Sequence, residues 1–99
     1  MSSYCLPLNT TINITHDNNS NYVFGVNGTS YNTKTYTFKL DVGTYKFNYL
    51  TTSDHPISFI RLPSDVSISH FSAGNNTTGL SGEFNLNVGK PFTGSFDIS

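Results

Sequence analysis

Ninety-nine residues give room for one hydrophobic core and exclude a second domain. Charged residues make up 11% of the chain and the formal net charge is -1, which excludes a basic footprint for nucleic acid and a polybasic membrane patch. Asn, Ser and Thr supply 38 residues instead, so the surface is polar without being charged.

In chain order, residues 1–10 read as a polar tail or a weak edge segment. They lack the basic start and apolar run of a signal peptide. No stretch approaches the ~20 apolar residues that cross a bilayer. Cys5 is the only cysteine, so an internal disulfide framework is ruled out. Together these features favour a product that is cytosolic or assembled in the cytosol; the alternative is a processed secreted chain.

Residues 11–15 (TINIT) alternate, with Ile12 and Ile14 inward. A loop at 16–20 leads to the short strand 22–26 (YVFGV), in which Gly25 suggests a bulge or a close backbone approach. Asn27-Gly28 is a type I′ turn signal. Residues 35–40 put Tyr36, Phe38 and Leu40 on one face, and Asp41-Val42-Gly43 turns the chain into 43–49. There Tyr45, Phe47 and Tyr49 alternate with polar residues, the pattern of a half-buried strand with an aromatic side. Whether these two strands pair or lie in opposite sheets is left open by the pattern.

Residues 51–54 break the alternation, and Pro56 holds His55 in extended backbone at a strand entrance. A strand over 57–62 and another over 66–71 follow, with Val66, Ile68 and His70 sharing a face. Residues 72–82 read as a long soft loop, 84–88 as a strand with Phe84, Leu86 and Val88 inward, and 92–98 as a closing strand with Phe96 and Ile98 inward. No segment has helical spacing. The expectation is an all-β antiparallel Greek-key sandwich or barrel spanning residues 11–99, whose core includes Phe38, Tyr45, Phe47, Phe59, Phe84 and Phe96.

The order of these features resembles the cupredoxins. The pieces are INIT followed by YVFGVNG, the TYTFKLDVGTYKF block, His55-Pro56, and FNLNVGKPFTGSFDI at the end. The resemblance implies a copper site with His55 as its first ligand. It places Asn87 at the cysteine position, Lys90 at the second histidine and Thr93 at the methionine. A blue-copper site needs two imidazoles, a thiolate and a weak axial ligand. Asn, protonated Lys and Thr supply none of these, so the expectation is a copper-free cupredoxin-like domain with no cofactor. The alternative is an electron-transfer protein with a non-standard copper site at His55.

His70 is the one plausible second imidazole, and packing at a sheet edge is the simpler account of it. Asp54 reads as a turn residue, and His16 sits in a polar turn. The acidic residues are scattered and no serine has a nucleophile-elbow context, so no catalytic residue is expected. Asn9, Asn13, Asn18, Asn27, Asn75 and Asn76 lie in Asn-x-Ser/Thr triplets, which chance produces in a chain this rich in the three residues. What remains is a structural or interaction module that binds protein partners or itself, with neither nucleic acid nor membrane insertion. A component of a large assembly such as a virus particle would suit that surface.

Overall fold

The computed structural model describes residues 2–17, 21–49, 57–60, 62–76 and 79–98. Twelve strands and no helix are formed among them: β1 (Ser2–Cys5), β2 (Ile12–His16), β3 (Tyr22–Val26), β4 (Thr29–Asn32), β5 (Tyr36–Leu40), β6 (Gly43–Tyr49), β7 (Phe59–Ile60), β8 (Val66–Ser69), β9 (Ala73–Asn75), β10 (Gly79–Val88), β11 (Phe92–Gly94) and β12 (Asp97–Ile98). The larger sheet runs β4-β3-β2-β6-β10-β8, with β9 added to β10. A three-stranded sheet runs β1-β5-β11, and β12 pairs with β7.

The architecture is all-β and sandwich-like, but its sheets are mixed. The purely antiparallel expectation is corrected by two parallel pairs, β1 with β5 and β2 with β6. Parallel neighbours need a long crossover. The excursion through β3, β4 and β5 supplies one between β2 and β6. The question left open at Asp41-Val42-Gly43 is answered here, since β5 and β6 lie in different sheets.

Period-two burial holds the layers together. Ile12, Ile14, Phe24, Phe38, Tyr45, Phe47, Phe84 and Leu86 are all at most 1% exposed and share one cluster with Phe59 and Phe96. All six expected core aromatics are therefore inward. Phe24 of the large sheet meets Phe38 of the small one at 5.0 Å between ring centroids, and Phe96 packs on both. Phe47 and Phe84, paired across β6 and β10, stack at 5.4 Å and 7°. Burying each such ring is worth ~1.5–3 kcal/mol.

Several local expectations change. Asn27 (φ 50) and Gly28 (φ 84) form the left-handed turn that I′ chemistry implies, and the turn closes a β3–β4 hairpin. β4 itself was not legible, since TSYN has no apolar alternation. Gly25 sits in regular register with Asn13, and a Cβ there would meet only ordinary contacts, so it marks neither a bulge nor a close approach. Of the strand expected over 57–62, the described residues form Phe59–Ile60, with Ile57 bridged to Leu80. The soft loop over 72–82 is instead a β9–β10 hairpin, and β10 begins at Gly79. Gly74 and Gly79 take positive φ within the paired strands, a conformation glycine allows.

The turn into β6 is fixed by Tyr45. Its hydroxyl accepts a hydrogen bond from the Asp41 backbone N–H at 2.7 Å. Burial pushes the Tyr45 hydroxyl above its usual pKa, as burial also does for Tyr4. A folded value above the unfolded one means the folded chain holds its proton longer. The contribution is full below the unfolded value of about 10 and is lost as pH rises through the higher folded value. Thermal melts should therefore fall in alkali from about pH 10. Tyr45→Phe should flatten that fall, leaving a remainder from Tyr4, and should cost ~1 kcal/mol at neutral pH for the lost acceptor.

Candidate interaction surface

His55 and Asp54 lie outside the described residues. The three positions that the cupredoxin resemblance assigned to copper ligands, Asn87, Lys90 and Thr93, are described, and they are not brought together. Asn87 lies between the buried Leu86 and Val88 on β10, so it faces away from the core on the outside of the larger sheet. There its amide ties three strands: the Thr44 hydroxyl donates to Oδ1 at 3.1 Å, and Nδ2 donates to the Ser69 Oγ at 2.7 Å. Thr93 is exposed on β11, opposite Lys39 of the three-stranded sheet, with the core between it and Asn87. Lys90 is exposed in the β10–β11 connection, 3.7 Å from the Asp65 carboxylate. An exposed pair of this kind is worth little.

The expected face-sharing of His70 with Ile68 and Val66 is corrected. β8 ends at Ser69, and His70 follows in left-handed backbone (φ 52) with an exposed side chain. Left-handed backbone turns its side chain out of the strand's alternation. It joins Lys46, Glu83, Asn85 and Thr11 around a polar depression of about 310 Å³ on the outside of the larger sheet. His16 ends β2 opposite Tyr22. Cys5 is exposed on β1 opposite Lys39, at the register of Thr93. Among the described residues, no three or more His, Cys, Asp or Glu side chains are grouped to hold a metal ion.

One apolar recess is a cleft of about 40 Å³ lined by Leu40, Ile60, Leu62, Val66, Phe92 and Phe96 among others. That is room for a water or two, far below the volume of a small-molecule site.

The sheet ends carry the clearest pattern. β4 and β8 close the larger sheet's path, and β1 and β11 the smaller. Their sequences are TSYN, VSIS, SSYC and FTG, with no charged residue and no proline in any of them. Edges are normally guarded by charge, proline, bulges or shortness. Of charge, proline and shortness, these four strands use only shortness. Thr29 and Ser30 on β4, Ser67 on β8 and Thr93 on β11 are exposed.

The sequence reading missed two groups. Asn76 works as a substitute strand: its Oδ1 accepts from the Phe59 N–H at 2.7 Å, and its Nδ2 donates to the Phe59 carbonyl at 2.9 Å. That occupied amide also argues against glycosylation at Asn76. Tyr4, Tyr31 and Tyr36 form a half-buried cluster joining β1, β4 and β5. Neither group leaves a local signal, because each joins residues far apart in sequence.

Comparison of the chain with protein-family models, with curated proteins and with solved structures finds no match. No helix among the described residues is long and apolar enough to cross a membrane, which leaves β-barrel insertion unaddressed.

Proposed function

We propose that this domain is a non-catalytic, copper-free cupredoxin-like module of Greek-key type that works by association, as one component of a larger assembly such as a virus particle. The observation that carries the reading is the absence of charge and proline from the four end strands of the two larger sheets. Such ends offer unpaired backbone groups to a neighbouring chain, the mode in which an added strand supplies main-chain hydrogen bonds. Each edge is only three or four residues long, so one contact is weak. Several used together suit a multivalent shell.

The test is charge placed on the edges. Thr29→Lys and Ser67→Lys together should return the chain to its monomer mass while shifting stability by less than ~0.5 kcal/mol, since both side chains are exposed. Thr37 is a poorer site for such a charge, because its hydroxyl bonds Ser3 at 3.0 Å inside the three-stranded sheet. An unchanged assembly in the double variant would count against edge pairing. Copper titration separates the electron-transfer alternative. The reading expects no submicromolar site, and one lost on His55→Ala would replace it.

A further inference from the structure

We propose that Tyr4 and Tyr31 form a dityrosine cross-linking site that covalently ties β1 to β4, the end strands of the two sheets. The two rings stack with centroids 3.8 Å apart and planes within 14°. Both are half-buried, which leaves an oxidant access to one edge of the pair. Face-to-face stacking at this spacing brings the carbons of one ring within reach of those of the other. Burial, then the neighbouring Tyr31 side chain, pushes the Tyr4 hydroxyl above its ordinary pKa.

Two other tyrosine pairs lack that geometry. Tyr31 and Tyr36 meet edge-on at 90° and 5.2 Å. Tyr22 and Tyr49 meet at 70° and 6.1 Å, and Tyr49 is fully buried.

The chemistry needs a one-electron oxidant, such as a photo-excited ruthenium complex with persulfate, or peroxide with a haem peroxidase. Each phenol gives up one electron and its hydroxyl proton, leaving spin density on the oxygen and ortho carbons. The two radicals couple at one ortho carbon each, and the ring hydrogens displaced there move to the oxygens to restore two phenols. Persulfate takes the two electrons and becomes two sulfates; two protons are released. The product has lost two hydrogen atoms. Its consequence is structural, since β1 is otherwise held through its parallel ladder to β5 and the Leu6 contacts beyond it.

The test uses the full chain carrying Cys5→Ser, which removes the neighbouring thiol as a competing reductant, in dilute solution with ruthenium and persulfate. Lys34 is the first lysine or arginine of the chain, so trypsin leaves Tyr4 and Tyr31 on fragment 1–34 and Tyr36 on fragment 35–39. The expected product is fragment 1–34 lighter by two hydrogens, with dityrosine fluorescence. Tyr4→Phe and Tyr31→Phe should each abolish it while keeping the stacked rings, and unfolding in guanidinium should reduce the yield several-fold. The proposal is overturned if fragment 1–34 is joined instead to 35–39 or to a second chain. Undiminished coupling in either Phe variant, equal yield in the unfolded chain, or no product at all would overturn it too.

Discussion

Phe47→Ala should lower stability by ~3–5 kcal/mol, a loss that threatens a domain whose whole margin is about 5–15 kcal/mol. The ring is 1% exposed at the middle of β6, with β2 on one side and β10 on the other. It stacks on Phe84 and meets Phe24 and Phe59 edge-on at 5.3 and 6.2 Å. Truncation removes the transfer energy of the ring and leaves a cavity between strands that cannot close without breaking their ladders. The melting temperature should drop by at least about 12 °C. An unchanged melt would mean that this face of β6 does not line the core.

Gly74→Ala should cost roughly 3 kcal/mol, at the upper end of ordinary single-site losses, whereas Gly28→Ala should cost only about 1–2 kcal/mol. Both glycines have positive φ, +74 and +84. They differ in surroundings. A Cβ on Gly28 would meet nothing, while one on Gly74 would run into the backbone carbonyl of Gly79 across the β9–β10 hairpin. Relief requires opening the hairpin. That endangers the Ile57–Leu80 hydrogen bonds and the Asn76 clamp on Phe59, which anchor the short β7–β12 pair. Comparing chemical denaturation of the two variants isolates the collision from the shared φ strain. Equal losses would refute it.

These two positions also mark where the sequence was readable. Tyr45, Phe47 and Tyr49 announce their face through local alternation, and burial follows it residue by residue. Strand pairing is not local. Nothing in SSYC signals a parallel partnership with residues 36–39, and the small-residue run 72–82 looks like a loop until β10 supplies a partner. The His70 expectation failed because a two-residue period cannot foresee a left-handed residue at the strand's end. Of the candidate site, the aligned Asn87, Lys90 and Thr93 were legible as chemically unfit for copper, yet their dispersal over two sheets and a loop was not. The uncharged edges were visible only as a shortage of charge in the whole chain. That the end strands of the two larger sheets are among the uncharged ones needed the topology.

Sedimentation of the purified chain over a wide concentration range, up to millimolar, tests the association account most directly. The account predicts a mass that climbs above the 10.9 kDa of one chain toward discrete multiples, with Thr29→Lys/Ser67→Lys remaining at one chain throughout. A wild-type mass fixed at 10.9 kDa across the whole range would contradict it.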